Sequence, residues 1–343
     1  RQPMMRDFTR HGSRDPFQYV SYSKSSYYSF AKSAETELNN LILGDELLLL
    51  KYFSKEINNS KRVEESLILY QLIVDGFSTF QKLNLNLKSS FSYEINLNTF
   101  KSALHNLSFN FVRENHNGKL KKIATIYELS ILEKSDEKIF PGEDLLKALE
   151  NNSFKKYLLD NTLYSIEKFS KNFKKENYIK GFILYRKYTR KDCFRILNWD
   201  VNPLAQNVGG YMFHSDNKSC PIFVNYHKEE DISDTTKYED KFADPSTLEY
   251  MSKSNRKLSS PDVIKFSEAK EKEIRLPLFV KKKNIEGDDF YYMGDLIPDS
   301  KKFIQTTIKD KKNTNKVNVV KMIFYLKRQV EPDMYEYITK DNI

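Results

Sequence analysis

Apolar residues recur at three- and four-residue spacing through the first half of the chain. Over residues 33–55 they fall at Leu38, Leu41, Ile42 and Leu49, and over 61–82 at Val63, Leu67, Tyr70, Val74 and Phe77. That period is the signature of a helix with one buried face. The same reading predicts helices over 99–112, 119–133, 143–150 and 154–173. Pro141-Gly142 breaks the chain just ahead of Glu143 and Asp144, whose carboxylates suit the positive end of a helix. Asparagines crowd the junctions and read as short turns. Helices of this kind hide their apolar faces only against one another, so a bundle is expected.

After Lys180 the pattern changes to short apolar runs between charged or proline-bearing turns. Strands are predicted over 211–213, 221–226, 274–280, 289–294 and 317–326. The last is imperfectly alternating at Val317, Val319 and Lys321, then apolar throughout from Met322 to Leu326, as in a central strand. Lys281-Lys282-Lys283 and Gly287-Asp288 bound a hairpin joining the third and fourth of these strands. One short helix interrupts the pattern over 189–198. Thr189 and Asp192 have capping-box spacing, Cys193, Ile196 and Leu197 supply a buried stripe, and Arg190, Lys191 and Arg195 are left for solvent or phosphate.

A chain of 343 residues exceeds the usual size of one core, so more than one domain is expected. The fold class is α+β: an extended lead-in over 1–28, a helical bundle over 29–180, and a β-rich domain over 181–343 built as a curled mixed sheet or barrel. The only cysteines are Cys193 and Cys220, too few for a disulfide scaffold, which suits a reducing compartment. The longest apolar run, around Leu47 to Leu50, falls far short of the roughly 20 residues that cross a bilayer. The start Arg1-Gln2-Pro3-Met4-Met5 has no signal-peptide layout. A cytoplasmic location is expected, and the lack of an initiator methionine reads as the removal of an upstream region. The net charge of +9, from 56 basic and 47 acidic residues, is compatible with nucleic acid and says no more, because phosphate binding depends on clustering.

Several chemistries are not encoded. Gly118-Lys119 runs into Leu120 and lacks the glycines of a phosphate loop. His11, His105, His116, His214 and His227 form no His-Glu-x-x-His pattern, and none stands two residues before a lysine as in phospholipase-D-like nucleases. Cys220, His214 and His227 are loosely spaced for zinc and have no compelling fourth ligand. Glu229, Glu230, Asp231, Asp234, Glu239 and Asp240 cluster in one turn-rich segment, whereas a hydrolytic metal centre draws carboxylates from separate rigid elements. No catalytic residue, metal site or cofactor is therefore assigned to this chain.

Two runs are more informative: Tyr188-Thr189-Arg190-Lys191-Asp192-Cys193-Phe194-Arg195-Ile196-Leu197-Asn198-Trp199 and Ala205-Gln206-Asn207-Val208-Gly209-Gly210-Tyr211. They continue through Cys220-Pro221-Ile222-Phe223-Val224, Tyr226-His227-Lys228, Met251-Ser252-Lys253-Ser254-Asn255-Arg256 and Asp289-Phe290-Tyr291-Tyr292-Met293-Gly294. This series resembles the uncharacterised carboxy-terminal domain of bacterial superfamily-2 helicases, including the SauUSI-like type IV enzymes that restrict modified DNA. The resemblance implies a target-recognition piece for C5-methylcytosine or hydroxymethylcytosine in duplex DNA. Cleavage would fall to helicase and phospholipase-D-like nuclease modules of a parent enzyme, with ATP and Mg required there and not here.

A C5 methyl group offers a small apolar contact in the major groove, whereas extruding the base exposes both the methyl and the Watson–Crick edge to a pocket. The expectation is a curled sheet related in design to SRA or PUA-like readers. Trp199, Tyr226, Tyr291 or Tyr292 would sandwich the base, and Asn207, Asp234 or Asn255 would read its edge. Arg190, Lys191, Arg195, Lys253, Ser254, Arg256 and Lys257 would hold flanking phosphates. Direct readout by the helix at Thr189 is the other route. With 22 tyrosines and 24 phenylalanines in the chain, aromatics beside strands also serve as ordinary core. The alternative function is an assembly module that couples to a helicase motor and touches DNA non-specifically; a homodimer is compatible with either.

Overall fold

The computed structural model describes residues 5, 15–17, 20, 25–34, 41–216, 218–227, 240–309 and 316–340. It divides into two compact units, Arg1–Asn177 with Asn198–Asn202, and Tyr178–Leu197 with Pro203–Ile343. A helical region comes first in the chain, and a curled, partly closed mixed sheet follows as a half-barrel, an α+β arrangement.

The described elements of the first unit are α1 (Tyr27–Ala34), α2 (Gly44–Tyr52), α3 (Val63–Val74), β1 (Ser78–Thr79), α4 (Phe80–Phe91), α5 (Leu97–Leu107), β2 (Arg113–His116), β3 (Lys119–Lys122), α6 (Ile123–Ile126), β4 (Leu132–Ser135), β5 (Lys138–Pro141), α7 (Glu143–Glu150) and α8 (Asn152–Asn172). Helix α3 is buried along nearly its whole circumference and packs on α8, as an all-round apolar helix must. The single residue Asn151 joins α7 to α8 and caps the latter, its side chain accepting from Ser153 N and Phe154 N. Helix α2 runs into a π-helical turn, Phe53–Ile57, closed by a bond from Asn58 N to Phe53 O. Asn58 then donates to both Asn161 Oδ1 and Thr162 Oγ1 at 3.0 Å, and accepts from Ser66 Oγ at 3.0 Å. Buried polar side chains are tolerable when paired in this way.

The helix predicted over 119–133 does not form. Asn117 and Gly118 have φ of 52° and 74°, the left-handed pair that turns a two-residue hairpin, and β2 and β3 pair across it from His116↔Lys119 to Arg113↔Lys122. The short helix α6 and strand β4 take the remaining residues. The predicted 61–82 helix is likewise divided: α3 stops before Asp75-Gly76, and Thr79 opens α4 by accepting from Lys82 N at 3.0 Å. Of the 33–55 span, residues 35–40 lie outside the described residues, and α2 covers its second part.

In the second unit the elements are β6 (Tyr178–Ile179), β7 (Phe182–Ile183), β8 (Lys187–Tyr188), α9 (Arg190–Ile196), α10 (Ala205–Val208), β9 (Ile222–Asn225), β10 (Lys241–Asp244), β11 (Thr247–Met251), α11 (Pro261–Ser267), β12 (Pro277–Lys281), β13 (Phe290–Pro298), β14 (Ile304–Lys309), β15 (Lys316–Leu326) and α12 (Pro332–Thr339). The main sheet runs β10-β11-β15-β13-β12-β9, with β14 on β15 and β8 on β13. Its curl follows from strands that change partners along their length. Strand β13 pairs with β12 and β8 at its start and with β15 at its end. Strand β15 pairs with β14 over its first residues and with β11 and β13 over its last. Among the described strands only β9 and β12 run parallel, and the isolated bridge Ser219↔Arg275 is parallel as well. The predicted β12–β13 hairpin is present, whereas 211–213 contributes only the isolated bridge Tyr211↔Ile222.

Alternation along the strands sorts the core into two faces. Ile222, Val224, Leu278, Val280, Met293, Met322 and Phe324 join one cluster together with Phe266 of α11. Phe223, Phe279, Phe290 and Tyr292 lie on the other face, where Phe223 and Phe279 stack at 5.4 Å and Phe194 of α9 meets Phe223 edge-on at 6.0 Å. Each such buried side chain contributes roughly 1.5–3 kcal/mol. Among the described residues no helix is long and apolar enough to cross a membrane.

Candidate nucleic-acid interface

Three segments far apart in sequence converge in the second unit. The first is the start of α9. Thr189 Oγ1 accepts from Asp192 N and Asp192 Oδ2 accepts from Thr189 N, each at 3.1 Å, completing the capping box that the spacing predicts. This fixes the next residue, Arg190, whose guanidinium lies 5.2 Å from the Phe223 ring and 5.1 Å from the Phe290 ring. Its Nη2 donates to Gly209 O at 3.4 Å.

The second segment is the loop from Leu204 to Tyr211, which crosses the end of β9 and is tied to it by Phe223 N donating to Gly210 O at 2.7 Å. Gly209 has φ 59° and ψ −137°, a conformation closed to side-chain-bearing residues. A Cβ on Gly210 would stand 2.6 Å from Tyr250 Oη, so the pair is fixed by backbone geometry at one position and by space at the other.

The third segment is the loop after β11. Lys253 Nζ sits 4.6 Å from the centre of the Tyr211 ring, and it lies 3.8 Å from where a Gly209 Cβ would project. Asp262, in the first turn of α11, organises this loop: its Oδ2 accepts from Tyr211 Oη at 2.6 Å and from Arg256 Nε at 2.7 Å. Lys253 N donates in turn to Tyr211 Oη at 3.4 Å, and Asn255 turns the chain with φ 60°. Burial alone would raise the Asp262 carboxyl, but the Tyr211 hydroxyl and Arg256 hold it below its ordinary range. Burial lowers the Lys253 ammonium, with Asp262 pulling the other way, and burial also lowers Arg190.

The predicted residues therefore have different fates. Arg190, Asn207, Lys253, Ser254, Asn255 and Arg256 belong to these converging segments, with Asn207, Ser254 and Asn255 exposed. Lys257 is exposed beside them, its backbone N donating to Ser260 Oγ. Lys191 is half-buried. Arg195, expected at the surface, is buried at 3% exposure with Nη2 3.5 Å from Asp192 Oδ1. The capping acid doubles as its counter-ion, so the helix turns that arginine inward. Tyr292 is fully enclosed and donates to Asp295 at 2.8 Å. Tyr226 is half-buried and lies stacked on Phe242, whose N donates to its hydroxyl at 3.3 Å. Tyr291 is half-buried, with Lys187 Nζ 4.7 Å from its ring centre and Tyr337 edge-on at 5.7 Å. Trp199 is buried and belongs to the first unit. Asp234 lies outside the described residues, as does most of the acidic stretch; Asp240 is described, and accepts from Met251 N at 2.9 Å. Sequence reasoning missed Tyr211 and Asp262, the brace of the site. The available signals were a tyrosine directly after Gly209-Gly210 and an acid after Pro261, where a helix begins.

His214 Nδ1 lies 2.7 Å from Asp216 Oδ1, His227 Nε2 meets Ile338 O at 2.9 Å, and Cys220 is buried. Among the described residues, no group of three or more His, Cys, Asp or Glu side chains is placed to hold a metal ion.

Residues 1–175 match the model of a domain of unknown function (DUF8090), which is more than half of the 343 residues. The chain belongs to the DUF8090 family. After its DUF8090 region, residues 182–338 match a second domain of unknown function (DUF3427). No curated protein matches. Among solved structures, the DNA modification-dependent restriction endonuclease AspBHI is similar at 13% identity and a TM-score of 0.27, over 38% of this chain and 38% of that one. The sulfur binding domain and SRA domain of ScoMcrA, complexed with phosphorothioated DNA, is similar at 9% identity and a TM-score of 0.30, over 82% of this chain and 90% of that one. The type IV phosphorothioation-dependent restriction endonuclease ScoMcrA is similar at 10% identity and a TM-score of 0.27, over 92% of this chain and 62% of that one. The chain thus spans well under half of AspBHI and less than two thirds of that ScoMcrA structure.

Proposed function

We propose that the second unit is a recognition module for duplex DNA carrying C5-methylcytosine or C5-hydroxymethylcytosine, and that it licenses cleavage by other modules of a parent restriction enzyme. The observation that carries this reading is the convergence of Arg190 and Lys253 on the Gly209-Gly210 loop at the end of β9. Cations held against rings and backed by a rigid sheet suit phosphate contacts that fix a duplex in register. Exposed Asn207 and Asn255 on the same loops offer amide groups for a base edge.

Recognition proceeds by base extrusion, since a lone methyl gives little discrimination in the groove and an extruded base can be read on its whole perimeter. Tyr291 is the stacking residue in this account, because Tyr226 already spends its ring and hydroxyl on Phe242 and Tyr292 is enclosed. Helicase and phospholipase-D-like nuclease modules, with ATP and Mg, perform the work of the parent enzyme.

The test is a pair of anisotropy titrations at one fixed salt concentration, using a C5-methylated duplex and its unmodified twin. A lower Kd for the methylated duplex is expected. Equal affinities with correctly folded protein would refute the reading and favour an assembly module with non-specific DNA contact.

A further inference from the structure

We propose that Arg190 and Lys253 form a clamp for a single phosphate across Gly209, a site that rests on the DNA-binding reading of this unit. The two cations approach the glycine from opposite faces of the sheet. Arg190 is seated on Phe223 and Phe290, whereas Lys253 is seated on Tyr211, which belongs to the cluster of Ile222 and Val224. They meet at one residue: Arg190 Nη2 is 3.4 Å from Gly209 O, and Lys253 Nζ is 3.8 Å from the place a Gly209 Cβ would occupy.

No carboxylate among the described residues lies within ion-pair distance of either cation. Asp262, the acid that acts on Lys253, is engaged by Arg256 and Tyr211, and Asp288 acts on Arg190 without an ion-pair contact. Arg190 also keeps a buried Nε–H with no acceptor, a donor whose desolvation is uncompensated until something binds. The rings hold both cations in place by cation–π attraction before any ligand arrives. Gly209 leaves bare backbone between them. The missing partner is a compact anion with several acceptor oxygens, which is the chemistry of a phosphodiester in the DNA backbone and equally of free phosphate.

Titrations of the duplex over a range of salt, with Arg190→Gln, Lys253→Gln and the double variant, test the clamp. The slope of log affinity against log salt changes by about 0.9 for each phosphate neutralised. One shared phosphate predicts that the double variant loses about 0.9 in slope, and that each variant weakens methylated and unmodified duplexes by the same factor. A loss of about 1.8 would mean two separate phosphates, and no loss would mean none; either outcome overturns the clamp. The mark preference of the unsubstituted protein is a separate readout, so its absence defeats the proposed function while the slopes still decide the clamp. Inorganic phosphate followed at the Gly209 amide by NMR distinguishes the free anion from the diester and covers the case of no duplex binding. A shift abolished by Lys253→Gln supports the clamp, and no shift in the unsubstituted protein overturns it. Because Arg190 packs on two rings, near-UV circular dichroism checks each fold, and the Lys253→Gln phosphate arm stands alone should Arg190→Gln unfold.

Discussion

In the first unit, Arg62, Glu64 and Glu65 are all buried and answer one another: Arg62 Nη1 lies 3.4 Å from Glu65 Oε1 and Arg62 Nε lies 3.9 Å from Glu64 Oε2. Asn106, Tyr93 and Asn198 close the surrounding hydrogen bonds. In the second unit, Arg195, Arg256 and Arg275 likewise keep carboxylate partners, whereas Arg190 and Lys253 rest on aromatic rings, with no carboxylate among the described residues at ion-pair distance. The contrast separates two uses of charge in one chain. A cation supplied with its counter-ion by the fold is structural, and its removal damages the fold. A cation supplied only with a ring has its electrostatic partner still to come, and its removal damages binding.

The largest effect that checks this division is expected from Arg62→Ala. It leaves two buried carboxylates facing each other without their cation, and breaking a buried pair of this kind costs about 3–5 kcal/mol. Urea unfolding followed by far-UV circular dichroism should show a large fall in midpoint. A fall no greater than that of an exposed lysine variant would mean that the network is not structural.

Next in size is Tyr291→Ala. Stacking of a base on an aromatic ring is worth about 1–3 kcal/mol, so affinity for the methylated duplex should drop while affinity for the unmodified twin changes little. Equal loss for both duplexes would remove Tyr291 from mark recognition.

An effect of similar size, divided between stability and binding, is expected from Tyr211→Phe, which deletes the hydroxyl shared by Asp262 and Lys253 N. A hydrogen bond to a charged group contributes about 1.5–3 kcal/mol, and the ring beneath Lys253 is retained. Thermal stability should fall modestly, and both duplexes should bind more weakly by a common factor because the phosphate-holding loop is loosened. Unchanged binding would show that the brace has no part in holding DNA.

What could be read from the sequence follows the range of the interactions involved. The capping box at Thr189 and Asp192 and the helix Glu143–Glu150 were legible because their causes lie within a few residues. The hairpin at Asn117-Gly118 is equally local, but its turn signal stands directly before apolar spacing over 119–133 that predicts a helix. The inward turn of Arg195 has a local cause too, in Asp192, yet a helical wheel places it with Arg190 and Lys191 and gives no hint of the packing around it. The meeting of Arg190 and Lys253 at Gly209 had no sequence signature. Sixty-odd residues intervene, and the segments meet through the loop at Gly210 and Tyr211 that is tied to β9.

The smallest expected effect is a change of slope with pH, and it probes the structural side of the comparison. Burial pushes the Glu64 carboxyl above its ordinary value of 4.5, with Arg62 opposing and Glu65 reinforcing the shift. The folded protein thus retains a proton that the unfolded chain releases. Between the unfolded value and the raised folded value the native state binds more protons, so the stability owed to this group is full below about pH 4.5 and is lost as pH rises through the folded value. Glu64→Gln mimics the protonated form and keeps the bond that Tyr93 makes to this side chain within reach. Its stability relative to the unsubstituted protein should therefore climb as pH rises above that point, measured by urea midpoints across a pH series. A constant difference would mean that Arg62 alone sets the charge of Glu64, and that the buried network carries no excess acid.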